Sequence, residues 1–209
     1  MCTRFYADSD KEMKPLITAA QKASFAWQMM ISLSRPLSMS GEIRPSDIAA
    51  VIAPAKNGKR AVFPMQWGFH VDGLKAPLLN ARLESAAERP TFRDSWYRRR
   101  CIIPASWYFE WQHYLTRDGR IKTGEKYVIQ QKNAGITWLA GLYRFEVTDG
   151  FRYPVFAVLT RESAEAVKDI HDRMPLILPG SAIDDWIAPD GDPGQVIRSA
   201  VTDLVLEKA

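Results

Sequence analysis

"CIIPASWYFEW", residues 101–111, is dominated by β-branched and aromatic residues, a composition that suits a pleated strand better than a helix. Strand alternation within it puts Tyr108 and Glu110 on one face and Trp107, Phe109 and Trp111 on the other. Pieces of the same kind follow between turn signals: "KYVIQQ" at 126–131, "GITWLAGLYRF" at 135–145 and "PVFAVLT" at 154–160. Upstream, "IAAVIA" at 48–53 and "RAVFPMQWGF" at 60–69 flank the turn-forming "KNGK" and read as neighbouring strands. "MCTRFYA" at 1–7 reads as a short strand with Arg4 and Tyr6 opposite Phe5.

Helical patterns are fewer. One helix is expected from about Leu16 to Leu33, with Leu16, Ala20, Ala23 and Trp27 on a buried face. Short helices are expected in "ESAEAVKDI" at 162–170 and "SAIDDWI" at 181–187, and a late strand in "GQVIRSAV" at 194–201. The class is therefore α+β: a twisted, mainly antiparallel sheet closing toward a β-barrel, with a few peripheral helices, in one domain over residues 1–209.

A chain of 209 residues with 46% hydrophobic composition can bury one sizeable core, and 25% charged residues argue against a disordered or collagen-like class. No apolar run reaches the roughly 20 residues needed to span a membrane, and no secretory signal pattern opens the chain. A cytoplasmic monomer is expected, with Cys2 and Cys101 as free thiols and no metal site. The net charge of +4 permits an anionic partner. "FRDSWYRRRC" at 92–101 interleaves Phe92, Trp96 and Tyr97 with Arg93, Arg98, Arg99 and Arg100, a mixture that suits phosphates and stacked bases. The same residues also fit a solvated helix end with buried aromatics.

Five residues are candidates for carrying the chemistry. Cys2, once methionine aminopeptidase removes Met1, has a free α-amine and a free thiol. The amine can attack an aldehyde to form a Schiff base, and the thiol can close a thiazolidine ring on the same carbon. Glu110 lies among aromatics, where desolvation favours a carboxyl group that accepts and returns protons near neutrality. His171 falls at a helix-to-strand junction beside Asp172 and Arg173, which can orient it. Asn80 and Arg82, two apart in "NAR", point to one side of an extended segment and can fix a phosphate or sugar. Each also has a plainer reading: a chance small residue at position 2, a glutamate on a wet strand face, a structural histidine, and turn chemistry at Asn80 with an Arg82–Glu84 ion pair.

Together and in this order, "MCTRF", "QWGF" at 66–69, "LNARLES" at 79–85, "FRDSWYRRRCIIPASWYFEWQ" at 92–112, "FAVLT" at 156–160 and "IHDRMPLILP" at 170–179 resemble the SRAP (SOS-response-associated peptidase-like) family over most of the chain. The resemblance implies an abasic-site sensor without a cofactor, in which Cys2 forms a thiazolidine crosslink to the ring-opened aldehyde of an abasic site in single-stranded DNA. It implies proton shuttling by Glu110, sugar ring-opening by His171 and nucleotide holding by Asn80. DNA contacts are expected from Arg4 and Arg82, joined by Trp67, Arg98, Arg99 and Arg100, and self-removal of the residues before the cysteine gives the peptidase name. Two elements depart from the family pattern: "GEIRPSD" at 41–47 keeps only Pro45 of an Asn-x-Ala-Pro element, and "FHVDGLKAP" at 69–77 lacks a tryptophan. Stacking by such a tryptophan is worth about 1–3 kcal/mol per base, so weaker strand affinity is expected. A Cys–His hydrolase using Cys2 and His171, and a non-covalent binder of single-stranded or modified DNA, stand as alternatives.

Overall fold

The computed structural model describes residues 2–37, 39–116 and 118–209. In chain order β1 (Arg4–Ala7) is followed by α1 (Met13–Gln21), α2 (Ala26–Leu33), β2 (Gly41–Ile43), β3 (Ile48–Pro54) and β4 (Arg60–Trp67). Next come β5 (Asn80–Arg82), α3 (Pro90–Arg98), β6 (Arg100–Ala105), β7 (Trp107–Leu115) and β8 (Ile121–Gln131). The chain ends with β9 (Thr137–Thr148), β10 (Phe151–Glu162), β11 (Arg173–Pro175), β12 (Ile177–Leu178), α4 (Ile183–Ile187), α5 (Pro193–Ile197) and β13 (Leu204–Lys208). This is the α+β class expected.

Two sheets organise the molecule. In the larger, β10, β4, β3, β6 and β9 pair in turn and β9 returns to β10, which closes a five-stranded barrel. The smaller runs β13–β8–β7–β1–β2. Among the described residues the ladders are antiparallel, apart from those of β10 with β4 and with β5. The run 101–111 is divided between the sheets: β6 belongs to the barrel and β7 to the smaller sheet. The crossing is pinned at Ser106, whose N–H donates to the Tyr6 carbonyl at 2.8 Å. That single crossing carries Glu110 out of the barrel wall and into the sheet that holds the chain start. One continuous cluster of buried side chains spans both sheets, from Phe5 and Ile129 to Ile102 and Val158.

The helical expectations need correction. The 16–33 helix is two helices, because the chain turns at 22–25 and lets Phe25 pack back onto the core. The buried stripe is Met13, Ile17 and Ala20, then Ala26 and Met29, while Trp27 is exposed. "ESAEAVKDI" forms only a single 3-10 turn, Glu165–Val167. "GQVIRSAV" is not a strand: the Asp192 carboxylate accepts from the Gly194 N–H at 2.8 Å and Pro193 takes the first helical position, so the segment starts α5. The late strand is β13, which pairs with β8. Among the described residues no helix is long and apolar enough to cross a membrane.

Candidate active site

Strand β1 brings Cys2 against β7, with Arg4 opposite Phe109 and Phe5 opposite Tyr108. This register turns Tyr108 and Glu110 inward, and both are buried. β5 lies parallel to β10, with Asn80 opposite Val158. From there the Asn80 Nδ2 donates to the Cys2 carbonyl at 2.9 Å, a contact across 78 positions of sequence. Cys2 is wholly buried and its thiol donates to the Arg4 carbonyl at 3.6 Å. Burial pushes the Cys2 thiol well above its ordinary range, and the negative charge of Glu110 adds to the effect. The Glu110 Oε1 accepts from the Trp111 N–H at 3.3 Å.

His171 follows the 3-10 turn and joins the same group. Its Nδ1 has two partners with opposite demands. The Arg173 N–H donates to it at 2.9 Å, which serves the neutral ring; the Asp172 carboxylate lies 2.7 Å away and serves the protonated one. Burial lowers the proton affinity of His171, against the opposing pull of Glu110 and Asp172. Cys2, Asn80, Glu110 and His171 are thus brought to one place from four separate parts of the chain.

The residues expected to meet DNA divide. Arg82 is exposed and lines an open cleft of about 730 Å³ with Arg89, Lys168 and Arg173. Glu84 pairs with Arg173 through two bonds of 2.8 Å, in place of the Arg82 pair considered from sequence. Arg4 is part-exposed and bonded to Glu42 at 2.6 Å. Trp67 must be corrected: it is fully buried, its indole N–H donates to the Leu79 carbonyl at 3.0 Å, and its ring packs on Phe5 and Phe156. It fixes the residue before Asn80 and has no face for a base. Arg100 must also be corrected. It is buried, and its guanidinium donates to the carbonyls of Trp186, Trp96, Tyr97, Ala188 and Gly191, which ties α3 to the segment after α4. Arg98 and Arg99 lie at the surface end of α3 paired with Asp94, while Phe92 and Trp96 are core. The basic-aromatic run is thus largely the helix end with buried aromatics.

A different basic-aromatic face was missed. On the outer side of the small sheet, Glu42 gathers Arg4, Arg44 and Lys126, the last at 3.7 Å. The Lys126 Nζ lies 3.7 Å from the Phe109 ring centre, and both Lys126 and Arg4 lie 5.5 Å from that of Trp111. Tyr6 and Trp107 stack beside them at 4.5 Å. The alternation of β7 predicted one aromatic face; the pairing that sets cations over it joins strands far apart in sequence. Among the described residues no three His, Cys, Asp or Glu side chains gather closely enough to hold a metal ion.

Fold and site together define a class: a small barrel with an appended sheet in which residue 2 is held beside a buried carboxylate and a half-buried imidazole. The chain belongs to the SRAP family, described as SOS response associated peptidase, whose model matches residues 1–206. It is 30% identical over 172 residues to the abasic site processing protein YoaM of Bacillus subtilis, covering 76% of this chain and 73% of that one. It is 30% identical to the abasic site processing protein YedK of Escherichia coli, where the match covers 59% of this chain and about half (54%) of the relative. With the rat abasic site processing protein HMCES it shares 26% identity over 64% of this chain and 46% of that one. A crystal structure of a Bordetella bronchiseptica protein superposes with a TM-score of 0.73 at 22% identity, covering 100% of this chain and 99% of that one. One from Bacteroides thetaiotaomicron gives 0.74 at 19%, with coverage of 99% and 91%. These two support the fold alone.

Proposed function

We propose that this protein captures abasic sites in single-stranded DNA through a covalent thiazolidine formed by Cys2 after removal of Met1. The names of its relatives point to abasic-site processing. The observation that carries the chemistry is the holding of residue 2: the Asn80 amide grips the Cys2 carbonyl at 2.9 Å within reach of the charge of Glu110.

The steps balance without an added reagent. Neutral His171 takes the proton of the anomeric hydroxyl as the C1′–O4′ bond breaks and delivers it to O4′, which exposes the aldehyde. The Cys2 amine adds to the aldehyde carbon, and Glu110 carries protons from nitrogen to the departing oxygen, so that water leaves and an imine remains. The thiol then adds across the imine, sulfur to carbon and proton to nitrogen. Arg4, Arg82 and the face formed by Arg44, Lys126 and Trp111 hold the phosphates and bases on either side.

The electrostatics favour this route over a Cys–His hydrolase. A hydrolase needs a thiolate beside an imidazolium, whereas burial here pushes the Cys2 thiol toward its neutral form and His171 toward its own. An amine that attacks first does not need the thiolate. A self-processing step at the same cysteine, as the family name suggests, would release the residues before it and expose the amine.

Intact-mass measurement before and after incubation with an oligonucleotide bearing one abasic site tests the reading. The expected result is loss of Met1 and a heat-stable adduct, absent in Cys2→Ala and in Cys2→Ser. A processed, folded protein that yields no adduct would overturn it.

A further inference from the structure

His113 shares its surroundings with His171, yet the chemistry above gives it no part. It lies on β7 just past Glu110, where the ladder to β8 shifts register between Trp111 and His113. At that point β7 bonds instead to the segment leading to His171. The His113 N–H donates to the Ile170 carbonyl at 3.1 Å, and the Gln112 Nε2 donates to that of Asp169 at 3.3 Å. The two imidazoles are thereby set 5.2 Å apart between ring centres, tilted by 53°. His113 is exposed, whereas the side chain of His171 retains only 11% of its accessible surface.

We propose that His113 is a positioning residue for His171: it holds the half-buried imidazole against the edge of β7 and governs when that ring carries a charge. The proposal rests on the reaction assigned above, in which His171 works as a neutral ring. Two imidazolium rings at this separation repel, so a charge on the outer ring disfavours one on the inner ring. The other groups acting on His171 include Glu110 on β7 and Asp172, while β8 faces His113 with the uncharged Thr123. The lowered proton affinity of His171 includes a contribution from His113. The exposed ring also offers the buried one a route for proton exchange with water.

The chain has three histidines, so their ring resonances can be assigned by single substitution and followed against pH. In His113→Gln the His171 midpoint should move to higher pH by about half a unit, the size expected for two charges about 5 Å apart in a water-like dielectric. In His113→Lys, which places a fixed positive charge there, the midpoint should stay at or below the wild-type value. An unmoved midpoint in His113→Gln overturns the proposal. The acid limb of the crosslinking rate should shift with the resonance; a rate profile that stays put while the resonance moves also overturns it. A wild-type protein that forms no adduct defeats the proposed reaction instead, and the resonance titration still decides whether His113 governs His171.

Discussion

At Glu110 a carboxyl group buried next to Cys2 is proposed to move protons between nitrogen and oxygen, work that general acid–base groups typically accelerate by about 10²–10⁴-fold. Glu110→Gln keeps the shape and should slow adduct formation by about that factor in a single-turnover assay, with DNA affinity little changed. His171 gives a pH signature. Its folded-state proton affinity lies below the ordinary value of 6.5, so its neutral form stabilises the fold above that pH. That contribution is lost as pH falls from 6.5 through the lower folded value. The thermal midpoint should therefore drop between about pH 7 and pH 5, and His171→Gln should remove that part of the slope. Arg100 belongs to stability rather than to DNA. Arg100→Ala strands five carbonyls and should cost about 3–5 kcal/mol in denaturant unfolding, with the folded fraction binding DNA as before. Nothing in a run of arginines announces which one is buried, and that is why Arg100 reads from sequence as a surface residue.

Among the elements, β10 joins the others, pairing with β4, β5, β9 and β11. Its contact with β9 is tight at Gly141, opposite Val158, where an added Cβ would lie 2.5 Å from the Ile103 Cδ1 and 2.9 Å from the Ala157 carbonyl oxygen. Gly141→Ala should destabilise the barrel by about 2–4 kcal/mol, read from the chemical-unfolding midpoint at unchanged slope. Strands were legible because alternation is local: Arg4 and Tyr6 opposite Phe5, and Glu110 opposite Trp111, follow from the period of two alone. The helix at 16–33 was legible in kind but not in extent, because the turn that divides it depends on where Phe25 finds the core. "GQVIRSAV" carries no helix start of its own, because the start signal, Asp192 with Pro193, lies just before it.

Across the whole molecule, the four candidate residues could be singled out one at a time by their chemistry, and as a set by family resemblance. Their convergence was not, since it depends on closing the barrel and laying β1 on β7. The cationic face of the small sheet was hidden for the same reason. If Arg44 and Lys126 track phosphates, Arg44→Ala and Lys126→Ala should each reduce the slope of log affinity against log salt by about 0.7 on single-stranded DNA. Trp67→Phe, in contrast, should leave that slope unchanged and weaken the fold. The complete burial of Cys2 also sets an order of events in the making of the protein. Its seat requires β7, which a ribosome adding about 5–20 residues per second reaches only about 5–20 s after starting the chain. Until then Cys2 has no sheet to pack against. The seat of Cys2 is thus among the last features of the fold to form, although Cys2 is among the first residues made.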